Sequence, residues 1–229
     1  MRSDGFRSDD RKNRVVKVVL TGATGFAGGE ILAQLLVHPR VARVTCVTRK
    51  ALSHGSPKLV TVLHPDFETY EPALLDTLAD HDACLWALGG KASDVDRALY
   101  ERVTHTYTLV LAAGIASRVK RRFVFCYLSG MGADRSERAW LPWERETRHL
   151  KGRAERDLVA LRASNEGFIA VNFRPGGIVR REQTGVRRWL APITVTTSEV
   201  ARAMIRVAIG EVTPNEDFVT NRAIQRMAM

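Results

Sequence analysis

Three glycines at three-residue spacing carry the clearest chemical signal in this sequence. Gly22, Gly25 and Gly28 follow an apolar run at residues 15–20, and an apolar helical segment comes after them. A strand that passes through a tight glycine turn into a helix can bind an anion, because free amides and the positive dipole end face it. Gly22 and Gly25 let a ligand approach the backbone, and Gly28 lets the helix pack on the strand. The pattern predicts that residues 22–28 bind the paired phosphates of a dinucleotide.

The residues after the second predicted strand indicate which dinucleotide binds. The position beyond this strand meets the adenosine ribose, where a carboxylate suits the 2′-hydroxyl and an arginine suits a 2′-phosphate. Here the strand at 41–47 is followed by Thr48, Arg49 and Lys50, with no acidic residue. Arg49 can hold a phosphate through two parallel hydrogen bonds, and Lys50 adds a second positive charge. The sequence therefore predicts NADP(H) rather than NAD(H), with two ordinary solvent-facing side chains as the alternative.

Two further strand ends are expected near the same ligand. Asp66 follows the third predicted strand, where its carboxylate could accept a hydrogen bond from the adenine amino group. It could equally be a helix cap or a turn residue. The backbone of Leu88, Gly89 and Gly90, after the fourth strand, is expected to line the cofactor on the side opposite the glycine turn.

Hydrophobic runs alternate with helical patterns along the chain, which predicts a parallel sheet covered by helices on both faces. The predicted strands lie at residues 15–20, 41–47, 59–63, 83–88, 123–128 and 168–173. The predicted helices lie at 27–37, 72–78, 94–118, 143–164 and 198–209, the last with Ser198 as its N-cap, before a short tail at 217–229. The expected fold is α/β, a doubly wound parallel sheet (Rossmann fold). It forms a single domain at 15–229 with a small C-terminal elaboration, after a disordered lead-in at 1–14.

Size and composition favour an ordinary globular protein. The chain has 229 residues, of which 45% are hydrophobic and 26% are charged. No apolar run approaches the roughly 20 residues that span a bilayer, and the N-terminus has no hydrophobic signal core, so a cytoplasmic protein with no membrane partner is expected. The three cysteines form no CxxC pair and are expected to be buried and reduced. The six histidines lack ligand spacing, so no metal site is expected.

The net charge of +10 raises the possibility of nucleic-acid binding. Most of the excess is arginine spread along the chain, no nucleic-acid-binding motif accompanies it, and aromatic residues are only 7%. Surface charge and attraction for a phosphorylated cofactor account for the balance, so nucleic acid is at most a secondary partner. The expected partner is a small-molecule substrate, and the expected state is a monomer or a homodimer.

The order of the motifs resembles that of the extended and atypical short-chain dehydrogenase/reductases. The segment TGATGFAG at 21–28 is similar to the TGxxGxxG motif of that family. Matching segments follow over about residues 15–225: Asp66-Phe67, Ala87-Leu88-Gly89, Leu128-Ser129 and Arg174-Pro175-Gly176. Segments 127–134 and 150–155 look most like the small NAD(P)H-binding proteins related to the Tat-interacting oxidoreductase, which lack a large substrate domain. With this resemblance, the expected cofactor-binding residues are Gly22, Thr24, Gly25, Phe26, Ala27, Gly28, Arg49, Lys50, Asp66, Phe67, Leu88, Gly89, Gly90, Lys151, Pro175 and Gly176.

The resemblance also implies a mechanism. In the family, a serine orients the substrate oxygen and a tyrosine transfers its proton. A lysine four residues after that tyrosine lowers its pKa and holds the nicotinamide ribose. Ser129 and Lys151 occupy the serine and lysine positions, but Thr147 stands where the tyrosine belongs. A threonine hydroxyl is far less acidic than a phenol and would reach the substrate only through water.

This departure leaves three alternatives open. Another group could transfer the proton: Glu144 lies seven residues before Lys151 on the same helical face, and Tyr127 shares the face of Ser129 on a strand. His149 is expected on another face of the helix and is discounted. Water could instead be the proton source, or the chain could lack redox activity altogether.

The expected activity is an NADP(H)-dependent oxidoreductase, or a derived isomerase or cyclase, acting on a small carbonyl or polycyclic substrate. The alternative is a non-catalytic NADP(H)-binding sensor or protein-interaction regulator. Trp140 and Trp143 lie between the serine and lysine positions, where they could wall an apolar pocket or pack the loop onto the domain.

Overall fold

A parallel sheet forms the centre of the computed structural model, which describes residues 14–53, 55–90, 96–138, 144–180 and 191–229. The strands are β1 (Val16–Thr21), β2 (Val41–Thr48), β3 (Leu59–Leu63), β4 (Ala83–Trp86), β5 (Phe123–Leu128), β6 (Phe168–Arg174), β7 (Gly177–Val179), β8 (Thr194–Thr196) and β9 (Phe218–Thr220). Seven of them pair in the order β3-β2-β1-β4-β5-β6-β9, and every pair is parallel. β7 and β8 form a separate parallel pair. The predicted doubly wound α/β fold is therefore confirmed.

Helices cover both faces of the sheet. They are α1 (Phe26–Val37), α2 (Pro72–Ala79), α3 (Arg97–Glu101), α4 (Tyr107–Ala116), α5 (Arg145–Ala160), α6 (Thr197–Ala208) and α7 (Asn221–Met227). The single helix predicted at 94–118 is in fact α3 and α4 joined by a π-helical turn at Arg102–Thr106. None of the described helices is both long and apolar enough to cross a bilayer.

Alternate residues of each central strand enter two separate cores. On β5, Val124 and Cys126 face α1 and α6, whereas Phe123, Phe125 and Tyr127 face α2, α4 and α5. Strands buried on both faces need apolar residues at nearly every position, which is why the predicted runs were continuous rather than alternating. The cysteines predicted to be buried all lie in these central strands, and their thiols are free.

The C-terminal region corrects two expectations. Residues 217–229 are not a simple tail, because β9 extends the sheet beside β6 and α7 follows it. The N-cap of α6 is Thr196 rather than Ser198. The Thr196 hydroxyl accepts a hydrogen bond from the Glu199 amide at 3.1 Å, and the Glu199 carboxylate accepts one from the Thr196 amide at 2.8 Å. This reciprocal capping box satisfies two amides of the helix start.

The predicted lead-in falls almost entirely outside the described residues. Arg14, its last residue, is part of the folded domain, because its guanidinium donates a hydrogen bond of 2.7 Å to the Asp82 carboxylate at the start of β4. Trp140 and Trp143, with the pocket wall predicted from them, also lie outside the described residues.

Candidate active site

The glycine turn lies where the strand order of the sheet reverses, between β1 and β4. Because the strands are parallel, their carboxyl ends meet at one edge, and ligands of such sheets bind at this reversal. Gly22 has a φ of +71°, and a Cβ atom there would come within 2.4 Å of the Ala87 carbonyl oxygen just after β4. Only glycine fits this conformation at this distance. The turn after β1 and the backbone after β4 are therefore in direct contact.

Gly25 and Gly28 close the same turn. The Gly25 amide donates a hydrogen bond of 2.8 Å to the Gly22 carbonyl. A Cβ atom at Gly28 would lie 1.9 Å from that carbonyl oxygen, so α1 packs directly on the turn. The glycine spacing is thus required by contacts of the chain with itself, whether or not a ligand is bound.

The start of α1 fits an anionic ligand. Gly25 is its N-cap and supplies no side-chain hydrogen bond, and the first turn contains no acidic residue. Thr24, Gly25 and Phe26 are exposed, whereas Ala27 is buried. Unsatisfied amides at an exposed helix N-terminus form the usual binding site for phosphate groups. The residues present can therefore hold the paired phosphates of a dinucleotide.

Arg49 and Lys50 are exposed immediately after β2, next to the glycine turn on β1. The Thr48 hydroxyl donates to the Lys50 carbonyl at 3.1 Å and accepts from its amide at 3.3 Å, which fixes the backbone of this turn. Neither basic side chain has a hydrogen-bond or ion-pair partner within the described ranges. Both are therefore accessible to an external phosphate.

Asp66 and Phe67 are largely engaged by the protein itself. The Asp66 carboxylate accepts hydrogen bonds of 2.8 Å from the Glu68 amide and from the Thr69 hydroxyl. These bonds keep the Asp66 pKa below its usual value. They fit the turn role that was the alternative to adenine binding. The Phe67 side chain is buried against Trp86, so only its backbone can face a ligand.

The backbone after β4 leaves open space. Leu88 is half-buried, and Gly89 and Gly90 are exposed. A Cβ atom added at either glycine would have no neighbour within 4 Å. This stretch borders the same reversal point as Gly22 and can accommodate a ligand there.

Ser129 and Lys151 come together at the carboxyl end of β5. The Lys151 ammonium on α5 donates a hydrogen bond of 3.1 Å to the Ser129 carbonyl oxygen. Ser129 is only 3% exposed, and its hydroxyl has no hydrogen-bond partner among the described residues. Burial lowers the pKa of Lys151, and the carboxylates of Glu144 and Glu155 partly oppose that shift. An unpaired buried hydroxyl beside a half-buried lysine is costly unless another molecule supplies a partner.

The backbone around Pro175 faces this pair. The Met131 amide donates to the Pro175 carbonyl, with 2.6 Å between nitrogen and oxygen, linking the segment after Ser129 to the end of β6. The Gly176 amide donates to the Asn221 side chain at 2.8 Å. A Cβ atom at Gly176 would lie 2.0 Å from the Ile193 carbonyl oxygen. Pro175 and Gly176 are thus held rigidly beside the serine segment.

A buried carboxylate that sequence reasoning missed anchors the helix carrying Lys151. Glu155, one turn further along α5, is 0% exposed. It accepts hydrogen bonds from Arg174 at the end of β6, at 2.9 and 3.1 Å from Nε, and from Arg135 at 3.0 Å. Arg135 also pairs with Asp217 at 2.8 Å. The sequence does contain a signal for this cluster, because Glu155 is a charged residue on the otherwise apolar face of α5 that includes Ala154.

The remaining candidates for proton transfer are placed differently from one another. Thr147 is half-buried on α5, one turn before Lys151, and Glu144 is the exposed N-cap of that helix with a φ of 50°. The Tyr127 hydroxyl is buried and donates to the Thr104 carbonyl at 3.2 Å, and burial raises its pKa strongly. Tyr127 is therefore a core residue rather than an accessible acid, contrary to the expectation. The His149 ring lies 3.7 Å from the Asp134 carboxylate.

Sequence comparison identifies the family to which the chain belongs. The profile of the NAD(P)H-binding family matches residues 22–212, from the glycine turn to beyond α6. The chain belongs to this NAD(P)H-binding family. Its motif order and fold are those of an atypical short-chain dehydrogenase/reductase.

Individual proteins of known name are similar to parts of the chain in sequence. The chain is 31% identical over 170 residues to the mitochondrial protein fmp52 of Aspergillus clavatus, covering 71% of this chain and 66% of that one. It matches only 4% of the length of nonribosomal peptide synthetase acrB of Aspergillus aculeatus, at 62% identity over 60 residues.

Two solved structures have the same fold at low identity. Bordetella bronchiseptica WbmF in complex with NAD+ superposes with a TM-score of 0.66 and 15% identity, covering 95% of this chain and 77% of WbmF. The PhqB reductase domain of Penicillium fellutanum superposes with a TM-score of 0.63 and 16% identity, covering 91% and 67%.

Proposed function

We propose that the protein is an NADP(H)-dependent oxidoreductase acting on a small carbonyl substrate or its alcohol. The observation that carries this proposal is the unpaired, buried Ser129 hydroxyl beside the Lys151 ammonium, at the sheet edge that holds the glycine turn. Membership of the NAD(P)H-binding family and the reductase among its structural neighbours support the same class.

The chain's own residues have distinct tasks in this scheme. The α1 amides bind the pyrophosphate of the cofactor, and the exposed Arg49 binds its 2′-phosphate. The Ser129 hydroxyl donates a hydrogen bond to the substrate oxygen and so fixes the carbonyl in one orientation. Lys151 donates to the nicotinamide ribose and places a positive charge beside the oxygen that gains negative charge. The bound cofactor supplies the hydride that reduces the carbonyl carbon.

Proton delivery distinguishes this chain from the family pattern. The reduced oxygen needs one proton, and Thr147 is too weak an acid to give up its own at neutral pH. A water held by the Thr147 hydroxyl and the Lys151 ammonium donates the proton, and the hydroxide that remains takes up a proton from solvent. The Glu144 carboxylate also lies within electrostatic range of Lys151. It can take up the proton that is released when the alcohol is oxidised.

Two measurements on one variant, Ser129→Ala, test the activity. We expect Ser129→Ala to abolish carbonyl-dependent oxidation of NADPH, followed by nicotinamide absorbance across a panel of aldehydes and ketones. Its NADPH affinity should stay within about twofold of wild type, because the hydroxyl contacts substrate rather than cofactor. Equal turnover by wild type and Ser129→Ala would refute the role of this serine.

Cofactor preference has a separate test. Arg49→Ala should weaken NADPH binding about tenfold and leave NADH binding unchanged, because only NADPH carries the 2′-phosphate. Calorimetric titration of both cofactors measures the difference. Equal wild-type affinities for NADPH and NADH would count against the NADP(H) assignment.

The second candidate function is a non-catalytic NADP(H)-binding sensor, and Thr147 in the tyrosine position favours it. A sensor would bind NADPH with wild-type strength in Ser129→Ala and more weakly in Lys151→Met, yet none of the three proteins would turn over. Gain of carbonyl reduction by Thr147→Tyr would indicate descent from an enzyme that lost its proton donor.

We also propose a cytoplasmic location and a monomeric or homodimeric state. Relatives of the fmp52 group are named as mitochondrial.

A further inference from the structure

Arg180 lies beside the phosphate-binding corner although it is far from the glycine turn in sequence. Its guanidinium carbon is 5.6 Å from the centre of the Phe26 ring. Phe26 is the first residue of α1 and is 49% exposed. The geometry therefore brings an exposed cation to the first turn of the helix whose free amides face the anion site.

The backbone that carries Arg180 is firmly held. Arg180 follows β7 directly, and the last residue of that strand, Val179, pairs with Thr196 of β8. Thr196 caps α6, and α6 packs on α1, where the Gln34 side chain donates to the Ser198 hydroxyl at 3.0 Å. β7, α6 and α1 thus form one connected unit. The position of Arg180 over α1 follows from this packing.

The Phe26 ring is a suitable support for the guanidinium. A cation within about 6 Å of an aromatic centre is attracted to the ring face. The planar N–H donors of a guanidinium match the oxygens of a phosphate. An aromatic residue at the first position of α1 has no capping function, and Phe26 belongs to neither core of the domain. Supporting a cation gives it one.

We propose that Arg180 binds the pyrophosphate of the dinucleotide from the β7 side, with Phe26 holding it over the α1 N-terminus. This inference rests on the dinucleotide binding proposed above and adds a residue to it. The pyrophosphate then lies between helix amides and a guanidinium. Arg49, in contrast, meets the 2′-phosphate after β2. The two arginines therefore contact different phosphate groups of the cofactor.

Two cofactor fragments separate these tasks. ADP-ribose contains the pyrophosphate but no 2′-phosphate, whereas 2′-AMP contains the 2′-phosphate but no pyrophosphate. We expect Arg180→Ala to weaken ADP-ribose, NADH and NADPH each about tenfold, the effect of one charge-assisted hydrogen bond, and to leave 2′-AMP unchanged. Arg49→Ala should weaken 2′-AMP and NADPH and leave ADP-ribose unchanged. Calorimetry at one fixed ionic strength gives all these affinities.

Matched variants control for charge and for the aromatic support. Arg43→Ala removes the same charge from an exposed position near the other end of β2, and it should change no affinity. Arg180→Lys keeps the charge without the planar donors and should recover part of the loss. Phe26→Leu should weaken ADP-ribose roughly threefold, as expected for an exposed cation–π contact.

The outcomes distinguish this inference from the function on which it rests. If the wild type binds ADP-ribose, NADH and NADPH but Arg180→Ala binds them equally well, only the role of Arg180 is overturned. If Arg180→Ala weakens NADPH and 2′-AMP but not ADP-ribose, the arginine meets the 2′-phosphate and the proposal is also wrong. If the wild type binds no dinucleotide at all, the proposed function fails together with it.

Discussion

The two sides of the candidate site are built by different means. The phosphate corner consists almost entirely of main chain, in which Gly22 and Gly28 meet carbonyl oxygens at distances that admit no Cβ atom. The reaction side consists of side chains, with Ser129 and Lys151 brought together by α5 and β5. Steric contacts between backbone atoms fix the conformation of the phosphate corner. The reaction side depends on which side chains are present, so a residue such as Thr147 can replace another without disturbing the fold.

A buried charge cluster holds the reaction side together with a backbone contact, since a Cβ atom at Gly152 on α5 would lie 2.1 Å from the Asp134 carbonyl oxygen. Glu155 joins α5 to the end of β6 through Arg174 and to the segment after Ser129 through Arg135. The Arg174 guanidinium also lies 4.4 Å from the centre of the Phe218 ring on β9. The position of Lys151 therefore depends on three elements distant in sequence. The position of Gly28 depends on residues six positions away.

The largest effect is expected at the glycine turn. Gly28→Ala would place a Cβ atom 1.9 Å from the Gly22 carbonyl oxygen, and no side-chain rotation can relieve a clash with backbone. We expect the free energy of unfolding to fall by about 3 kcal/mol or more, with loss of dinucleotide binding. Urea denaturation and calorimetry measure the two effects.

The next residue is the matched control for this prediction. A Cβ atom at Gly29 would lie 3.6 Å from the Ala23 carbonyl oxygen, an ordinary contact. Gly29→Ala should leave stability within about 1 kcal/mol and could raise it, because alanine favours helix. If both variants behaved alike, the steric account of the phosphate corner would be wrong.

A second large effect is expected at the buried cluster. Glu155→Gln leaves two guanidinium groups facing a neutral amide, and breaking a buried ion pair costs about 3 kcal/mol of unfolding free energy. The carboxylate also raises the pKa of Lys151, so its removal should lower that pKa further. Glu137→Gln is the control, because Glu137 pairs with Arg153 and Arg156 near the surface at 3.3 Å. Its effect should be about 0.5 kcal/mol or less.

Lys151 should give an intermediate effect with a distinctive pH dependence. Lys151→Met removes one charged donor and should weaken NADPH binding about tenfold. Burial lowers the pKa of the wild-type ammonium, so the charge is lost as pH rises through a value below the usual lysine range. Wild-type affinity should therefore decline at a lower pH than a lysine of ordinary pKa would require. Lys151→Arg should remain charged and show no such decline, and a parallel decline in both would contradict the assignment.

The two sides also differ in how far sequence could predict them. The glycine turn and the six main strands depend on local patterns, so they were predictable. The pairing of residues 129 and 151 was expected only from the family resemblance. β9 has three residues and the Glu155–Arg174 contact joins distant elements, so neither leaves a local pattern. Tyr127 was misjudged because strand alternation gives the face of a residue but not its partner. The carbonyl it meets belongs to a π-helical turn that the sequence does not mark.

The smallest effect is expected at Thr147, and it bears most directly on the comparison. Thr147→Val keeps the shape of the side chain and removes the hydroxyl, for which no hydrogen-bond partner is found in the described part of the chain. Stability should stay within about 0.5 kcal/mol and NADPH affinity within about twofold, because neither the phosphate corner nor the charge cluster involves this residue. Only carbonyl turnover should fall, since the water that delivers the proton loses one of its two ligands. A loss of cofactor affinity as large as that of Lys151→Met would mean that the hydroxyl holds the cofactor directly. The residue at position 147 would then be required for cofactor binding as well as for proton delivery.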